Sequence, residues 1–574
     1  MIATMKKYTI LQLIAALCLL LGGCQDVETV VPDVAAVGIS SITATFEDGS
    51  GNFKGIVEEG KNEIIIVIPY YYPENTDNVM TMDKFTNMRM SASLADNVTI
   101  SPALLYMDLT KENVVTVKNQ RKESNRYIVK GEIRKSTACL LEEFNLPGLG
   151  ISGVIDQDKK TVSLVSTDNI GEVLADVTLS YHATISPDPR TVALNYDEDV
   201  QLTVTAHDGV TKSVYTVQKR LPEKLNVGIR KGSVKELFIK KLNADLGITT
   251  ANLTGGMAAI GKYIVLNTRA EKSIYIDAKT GEKVGEIDLG AITGNLINFN
   301  TTGDEAGNIL ICNLSPNDGA NNKYFKIWKI AGVTGTPQEL ISYENTPQYE
   351  LGRKFSVRGS VDGDAIITAP IVNTTAFARW TIVGGQVTSQ TPEIVTVTGP
   401  TVWGLHCDVI YTSATDVNSD YFVVSYADNT AAWVNGATNV TRQKLDPLNT
   451  NFYCNTVDYV EFNKGKYMSY AWVNPWTWGD ADRVFMLNVS SLANYTGAVA
   501  TEWGWDSGNP VVEWASPYDG GVTGFGPKYI GQPANGNGTA DVAFRVSDNG
   551  YYLYLYFMFT NGCIAGYQFD CIDL

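Results

Sequence analysis

Near the C-terminus, Val542-Ala543-Phe544-Arg545 is followed by Asn549-Gly550, Tyr551-Tyr552-Leu553-Tyr554 and then Ile564-Ala565-Gly566-Tyr567. The order is an inner strand, a Gly turn, a strongly apolar or aromatic strand, and a second strand. It decides the fold because it recurs upstream. The apolar strand returns as Tyr263-Ile264-Val265-Leu266 after Gly261-Lys262, Ile309-Leu310-Ile311 after Gly307-Asn308, and Ala365-Ile366-Ile367 after Gly363-Asp364. It returns again as Tyr421-Phe422-Val423-Val424 after Ser419-Asp420 and Tyr467-Met468-Ser469-Tyr470 after Gly465-Lys466. Each is followed by a partner strand, for example Phe325-Lys326-Ile327-Trp328, Ala378-Arg379-Trp380-Thr381-Ile382 or Val484-Phe485-Met486-Leu487. Six such units at blade-like spacing predict a six-bladed β-propeller over residues 235–574, with Val234–Ile239 as the outer strand that closes the ring against the last blade.

Working outward, a second repeat precedes the first. Thr99-Ile100-Ser101-Pro102 recurs as Thr184-Ile185-Ser186-Pro187, and Val115-Thr116-Val117 through Tyr127-Ile128-Val129 matches Leu202-Thr203-Val204 through Tyr215-Thr216-Val217. Alternating apolar and polar residues around a turn such as His207-Asp208-Gly209 indicate paired strands. The unit length suits a small Ig-like β-sandwich. The chain is therefore expected to be all-β: Ig-like domains at 36–134 and 135–222, a linker at 223–234, and the propeller. The tandem modules read as a stalk.

The N-terminus carries Lys6-Lys7, an apolar run from Ile10 to Leu21, and Leu21-Gly22-Gly23-Cys24. The run is too short to span a bilayer and has the anatomy of a secretory signal. The last four residues resemble a bacterial lipobox, which implies a signal peptide at 1–23, acylation of Cys24 and a tether at 24–35. Lipid on Cys24 would attach the chain to a membrane without a spanning helix. The acidic Gln25-Asp26-Val27-Glu28 that follows resembles the surface-export signals of Bacteroidetes lipoproteins.

Composition excludes several classes. The net charge is −17, falling to −19 once Lys6 and Lys7 leave with the signal, and no basic stripe exists. That argues against nucleic acid and against adhesion to anionic lipid. Only three histidines occur, at 182, 207 and 406, so a His-rich metal site or a Ser-His-Asp triad is not expected. The cysteines show no CxxC spacing; Cys563 and Cys571 alone are close enough to suggest a bridge. No phosphate-binding glycine loop is present. The reading names no cofactor, metal or catalytic residue.

The informative residues are aromatic. All ten Trp lie downstream of residue 300, and six fall between 472 and 514. Trp328, Trp380 and Trp433 sit within strands and read as packing residues. Trp476 and Trp478 follow the strand-breaking Pro475, and Trp505, Trp514 and Tyr518 lie in a long Gly- and Pro-rich segment before the last unit. With Trp403 and His406 they are expected on one propeller rim, beside Asp480, Asp506, Asn509 and Asp519. Aromatic faces flanked by carboxylates and amides suit sugars, because C–H groups stack on rings while polar groups take the hydroxyls. The alternative is a loop cluster that packs on itself.

Lipobox, Ig-like stalk and recognition domain, in that order, resemble the Bacteroidetes surface glycan-binding lipoproteins found beside outer-membrane glycan importers. The resemblance implies lipid anchoring in the outer membrane, facing the cell exterior, and capture of a polysaccharide or host glycan for an importer. Two alternatives stay open. A propeller glycoside hydrolase would need two facing carboxylates, and a protein-binding adhesin would need a broad apolar patch. The lipobox reading has a direct test: Cys24→Ser should give a soluble or unprocessed chain without acyl label. Persistent partition of the variant into the detergent phase with the membrane fraction would refute the reading.

Overall fold

The computed structural model describes residues 38–573 apart from 59–60, 317–322, 448–452, 476–481, 502–506 and 518–523. Among these residues the chain is all-β: besides strands there are only short 3-10 turns, and no helix is long and apolar enough to cross a membrane. It divides into two compact units, Met1–Leu221 and Pro222–Leu574.

The first unit holds two modules with separate cores. In the first, Glu63–Pro69 runs parallel to Ser124–Arg134, which pairs with Asn113–Lys118, which in turn pairs with the edge strand Thr99–Ser101. The second repeats this arrangement: Thr161–Val165 lies parallel to Lys212–Arg220, followed by Val200–Thr205 and the edge strand Thr184–Ser186. The recurring Thr-Ile-Ser motif thus occupies the same edge position twice. Period-2 alternation explains the cores, with Val115 and Val117 buried in one module and Leu202 and Val204 in the other. The modules meet through aromatic rings. Tyr71 stacks on His182 at 4.0 Å and lies 5.3 Å from His207, while the Tyr181 hydroxyl donates to Asp77 at 3.2 Å.

The second unit contains six sheets, each built on four antiparallel strands. Their first strands are Thr254–Ile260, Asn300–Gly303, Ser356–Gly359, Cys407–Tyr411, Tyr453–Phe462 and Ala540–Val546. These pack against one another in sequence order, and the sixth packs against the first, so they form a closed cycle. The approach is close: a Cβ on Gly256 would stand 2.6 Å from the Thr301 amide nitrogen. Second strands such as Asn308–Cys312, Ala365–Pro370 and Tyr421–Ser425 are buried along their whole length. Covered on both faces, they show continuous apolar runs instead of alternation. The sixth sheet takes its outer strand from the start of the unit: Lys235–Lys241 pairs antiparallel with Cys563–Asp570.

Residues 223–234, expected to be a linker, are bonded to this unit. Leu225 N donates to Cys571 O at 2.7 Å and Gly228 N to Asn463 O at 2.8 Å. Arg230 forms a forked ion pair with Asp570 at 2.6 and 2.8 Å, and Tyr551 OH donates to Pro222 O at 2.7 Å. The six described cysteines are buried and free, Cys563 and Cys571 among them.

A truncated chain beginning at Pro222 should therefore fold with its melting transition intact. One beginning at Lys235 should lose about 2–4 kcal/mol, at roughly 1 kcal/mol per hydrogen bond removed and more for the charged pair. Thermal melts of the two chains check this; equal stability would show that the segment is a free linker.

Candidate functional site

The six inner strands, with the turns that follow several of them, line a cavity of about 730 Å³. Three carboxylates rise from inner strands into its wall, and each ties its strand to the next. Asp408 accepts from Val457 N at 3.0 Å and from Ser356 Oγ at 2.6 Å. Asp458 accepts from Phe544 N at 2.6 Å and from Tyr459 N at 2.7 Å. Asp541 accepts from Met257 N at 2.7 Å, Thr456 Oγ1 at 2.9 Å and Lys354 Nζ at 2.9 Å. Lys354 is itself buried, so its charge and that of Asp541 compensate each other. Burial raises the Asp408 carboxyl to about 6 and Asp458 to about 7, against the lowering effect of their hydrogen bonds.

Above this girdle the walls are polar and partly aromatic. Arg358 pairs with Glu305 at 2.8 Å, donates to Tyr459 O at 3.3 Å and sits 5.2 Å over the Tyr459 ring. The Tyr459 hydroxyl donates to Glu461 at 2.9 Å, and Arg545 pairs with Asp548 at 3.3 Å. The Arg358 Nε has no partner. Such a surface can give and accept hydrogen bonds from several directions around a polar ligand. The sequence offered a signal for the girdle: an Asp embedded in an otherwise apolar inner strand, as in Cys407-Asp408-Val409-Ile410, Val457-Asp458-Tyr459-Val460 and Ala540-Asp541-Val542-Ala543. Hydrophobic scanning passes over it because each Asp looks like a turn residue.

Of the residues expected on an aromatic rim, Trp403, His406, Asn509 and Trp514 are described, and each is held in packing or a turn of its own. Trp403 is 0 % exposed; its Nε1 donates to Ile371 O at 2.8 Å and its ring packs in the core with Phe377, Val395 and Tyr421. It has no face to offer a sugar. The loop folds inward because a large apolar ring gains more by burial than by exposure. Trp514 lies in a strand, not a loop. Val512–Ala515 is the outer strand of the fifth sheet, and the Trp514 ring packs 4.8 Å from Tyr567 and 5.7 Å from Phe569 of the sixth. Its strand was hidden by its short length between Pro510 and Pro517. This also corrects the path of the chain, since the segment before Val512 joins the third strand of the fifth sheet to its fourth. Asn509 is engaged in a turn, donating to Thr496 O at 2.8 Å.

His406 precedes the fourth inner strand, at the end opposite the cavity, and is 5 % exposed. Burial first, then the charges of Arg353 and Lys354, push its imidazole down to about 3, so it is neutral. Trp476, Trp478, Asp480, Trp505, Asp506, Tyr518 and Asp519 lie outside the described residues, as does Cys24. Trp380, read as a packing residue, stacks on Phe325 with ring centroids 5.5 Å apart. Among the described residues no cluster of His, Cys, Asp and Glu could hold a metal ion.

Fold and cavity together define an all-β chain in which a closed cycle of sheets surrounds a polar, carboxylate-lined cavity. The chain belongs to the family described as Domain of unknown function (DUF8500), which matches residues 236–570. Residues 19–131 match a Domain of unknown function (DUF5018) and residues 141–219 a Domain of unknown function (DUF8499). No curated protein matches the chain. Among solved structures, it is similar to a DUF4623 family protein from Bacteroides eggerthii DSM 20697, at 16% identity and a TM-score of 0.45, over 75% of this chain and 98% of that one. It is also similar to hydrazine synthase of Kuenenia stuttgartiensis, at 13% identity and a TM-score of 0.29, over 62% and 88% of the two chains. A protein of unknown function from Bacteroides caccae aligns at 10% identity and a TM-score of 0.28, over 55% and 93%.

The girdle has a pH signature. Asp458 has a folded pKa above its unfolded value, so its protonation favours the folded state. That contribution is full below about pH 4 and is lost as pH rises through about 7. Asp458→Asn cannot ionise. The stability difference between the parent chain and this variant should therefore shift in the variant's favour between pH 5 and pH 8, on the order of 2 kcal/mol. Denaturant melts at the two pH values check this, and parallel behaviour would show that Asp458 is ionised throughout.

Proposed function

We propose that this chain is a lipid-anchored outer-membrane protein facing the cell exterior, whose C-terminal unit is a six-bladed β-propeller carried on two tandem Ig-like sandwich modules. The propeller captures a polysaccharide or host glycan and delivers it to an outer-membrane importer without cleaving it. Six sheets among the described residues, five of four strands and one of five, a closed cycle of inner strands and an outer strand donated from the start of the unit support the propeller assignment. The repeated strand arrangement of the two N-terminal modules supports the sandwich assignment.

The observation that carries the binding function is the 730 Å³ cavity. Its accessible groups, Glu305, Arg358, Glu461 and Arg545, alternate in charge around the cavity, with the partly exposed Phe544 ring beside them. An array of alternating donors and acceptors with apolar faces between them fits a polyhydroxylated ligand better than an apolar or singly charged one. One observation favours glycoside hydrolysis as a second reading. Asp458, raised to about 7, could hold a proton at neutral pH as a general acid must. Against it, both carboxylate oxygens already accept backbone N–H groups.

A glycan panel on the full chain, with product analysis of every bound species, separates the two. Capture expects binding without new reducing ends. Glu461→Gln and Arg358→Gln should each weaken binding by about 1–3 kcal/mol, as for hydrogen bonds to charged groups, with the melting temperature little changed in the Glu461 variant. Binding that survives both substitutions would place the ligand outside the cavity.

A further inference from the structure

The cavity narrows to a closed base. Side-chain exposure falls from 56% at Glu305 and 53% at Glu461, through 18% at Arg358, to 10% at Asp541 and 2% at Lys354. At the base a side chain crosses the ring. Lys354 leads into the third inner strand, and its Nζ donates to Asp541 Oδ1 and to Ala540 O of the sixth, both at 2.9 Å. The third and sixth members of a closed cycle of six stand opposite each other, so this bond runs through the middle of the ring. Further bonds tie the strands on either side of it. Thr456 Oγ1 of the fifth strand donates to Asp541 Oδ1 at 2.9 Å, and Ser356 Oγ of the third donates to Asp408 of the fourth at 2.6 Å. Asn300 Nδ2 of the second strand donates to Gly255 O of the first at 2.9 Å. These side chains are all buried.

A closed base sets how a chain molecule can enter. A polymer that lies along a groove needs an exit for each of its ends, and one that threads a ring needs a through-channel. Threading here would pull the Lys354 ammonium from Asp541 and leave an unpaired charge in the interior, which is strongly unfavourable. The volume of about 730 Å³ is that of a cleft for a compact ligand of a few rings, not of a groove for a polymer. The groups that meet a ligand, Glu305, Arg358, Glu461 and Arg545, come from the second, third, fifth and sixth inner strands or the turns after them, so they surround it on several sides. We infer that the cavity takes a glycan by its chain end: the terminal units enter along the ring axis and stop above the Lys354–Asp541 pair, while the rest of the chain stays outside. Recognition of a chain end rests on the capture function, and adds to it which part of the glycan is read.

Counting bound protein on chains of different length tests this. Amylose, xylan, mannan and polygalacturonate, each fractionated into a short and a tenfold longer preparation, are titrated calorimetrically against the full chain at equal mass of polysaccharide. For a polysaccharide that binds, the longer preparation should take up tenfold less protein per unit mass, because it carries tenfold fewer ends, at unchanged affinity per end. Glu461→Gln should weaken binding of both preparations by the same factor. Equal uptake per unit mass by the two preparations would show binding along the chain, and would overturn end recognition while leaving capture intact. Unchanged affinity of Glu461→Gln for both would place the counted site outside the cavity and overturn it as well. Absence of binding by every preparation would remove the capture function itself, and end recognition with it.

Discussion

The C-terminal unit depends on one pairing across its full sequence length, Lys235–Lys241 against Cys563–Asp570. A cycle of sheets leaves an open strand edge unless its last member is completed, and an exposed edge invites pairing with another chain. Here the completing strand comes from the start of the unit, so both ends of some 350 residues are fixed in one sheet. The segment just before it extends the same seam, with Arg230 on Asp570 and Leu225 on Cys571. Closure is therefore a clasp of a strand and the dozen residues that lead into it.

Closure also sets the conditions at the centre. Inner strands cannot pair by a continuous backbone ladder with their neighbours, because each already belongs to its own sheet. Their free N–H groups need acceptors. Asp408, Asp458 and Asp541 supply these, each reaching one sheet onward. Carboxylates placed so deeply lose hydration, and that loss is what raises Asp408 and Asp458. The perturbed carboxyls of Asp408 and Asp458 thus have a structural origin in the closure of the cycle.

Much of this was legible in the sequence because burial on both faces leaves a strong mark. Ile309-Leu310-Ile311 and Tyr421-Phe422-Val423-Val424 read as strands, and each lies within a buried second strand. The Thr-Ile-Ser repeat likewise marked equivalent edge strands. What failed was inference from local punctuation. Trp403, just before the fourth unit's inner strand, read as part of a rim loop, and a Gly- and Pro-rich segment hid the strand of Trp514. Residues 223–234, lying between the two kinds of repeat, read as a linker. In each case the deciding partner is far away in sequence: Asp570 for Arg230, and Tyr567 for Trp514. Propensity and pattern carry no information about such partners, and the girdle aspartates depend on neighbours from the next sheet in the same way.

The two ends of the ring are chemically unlike, and the parallel run of the inner strands is the reason. All six start at one mouth and end at the other, so a residue's position along its strand decides which mouth it serves. Residues at strand starts, Lys354 and His406 with Arg353 just before, gather positive charge and neutral polar groups at one mouth. Residues toward the ends and in the turns after them, Glu305, Arg358, Glu461 and Arg545, set charges of both signs around the other. The Lys354 ammonium bonds Asp541, second in its own inner strand, so this buried charge pair closes among the strand starts. The charge of Lys354 is thus compensated within the strand starts, and the groups of alternating sign at the strand ends are left to face the cavity.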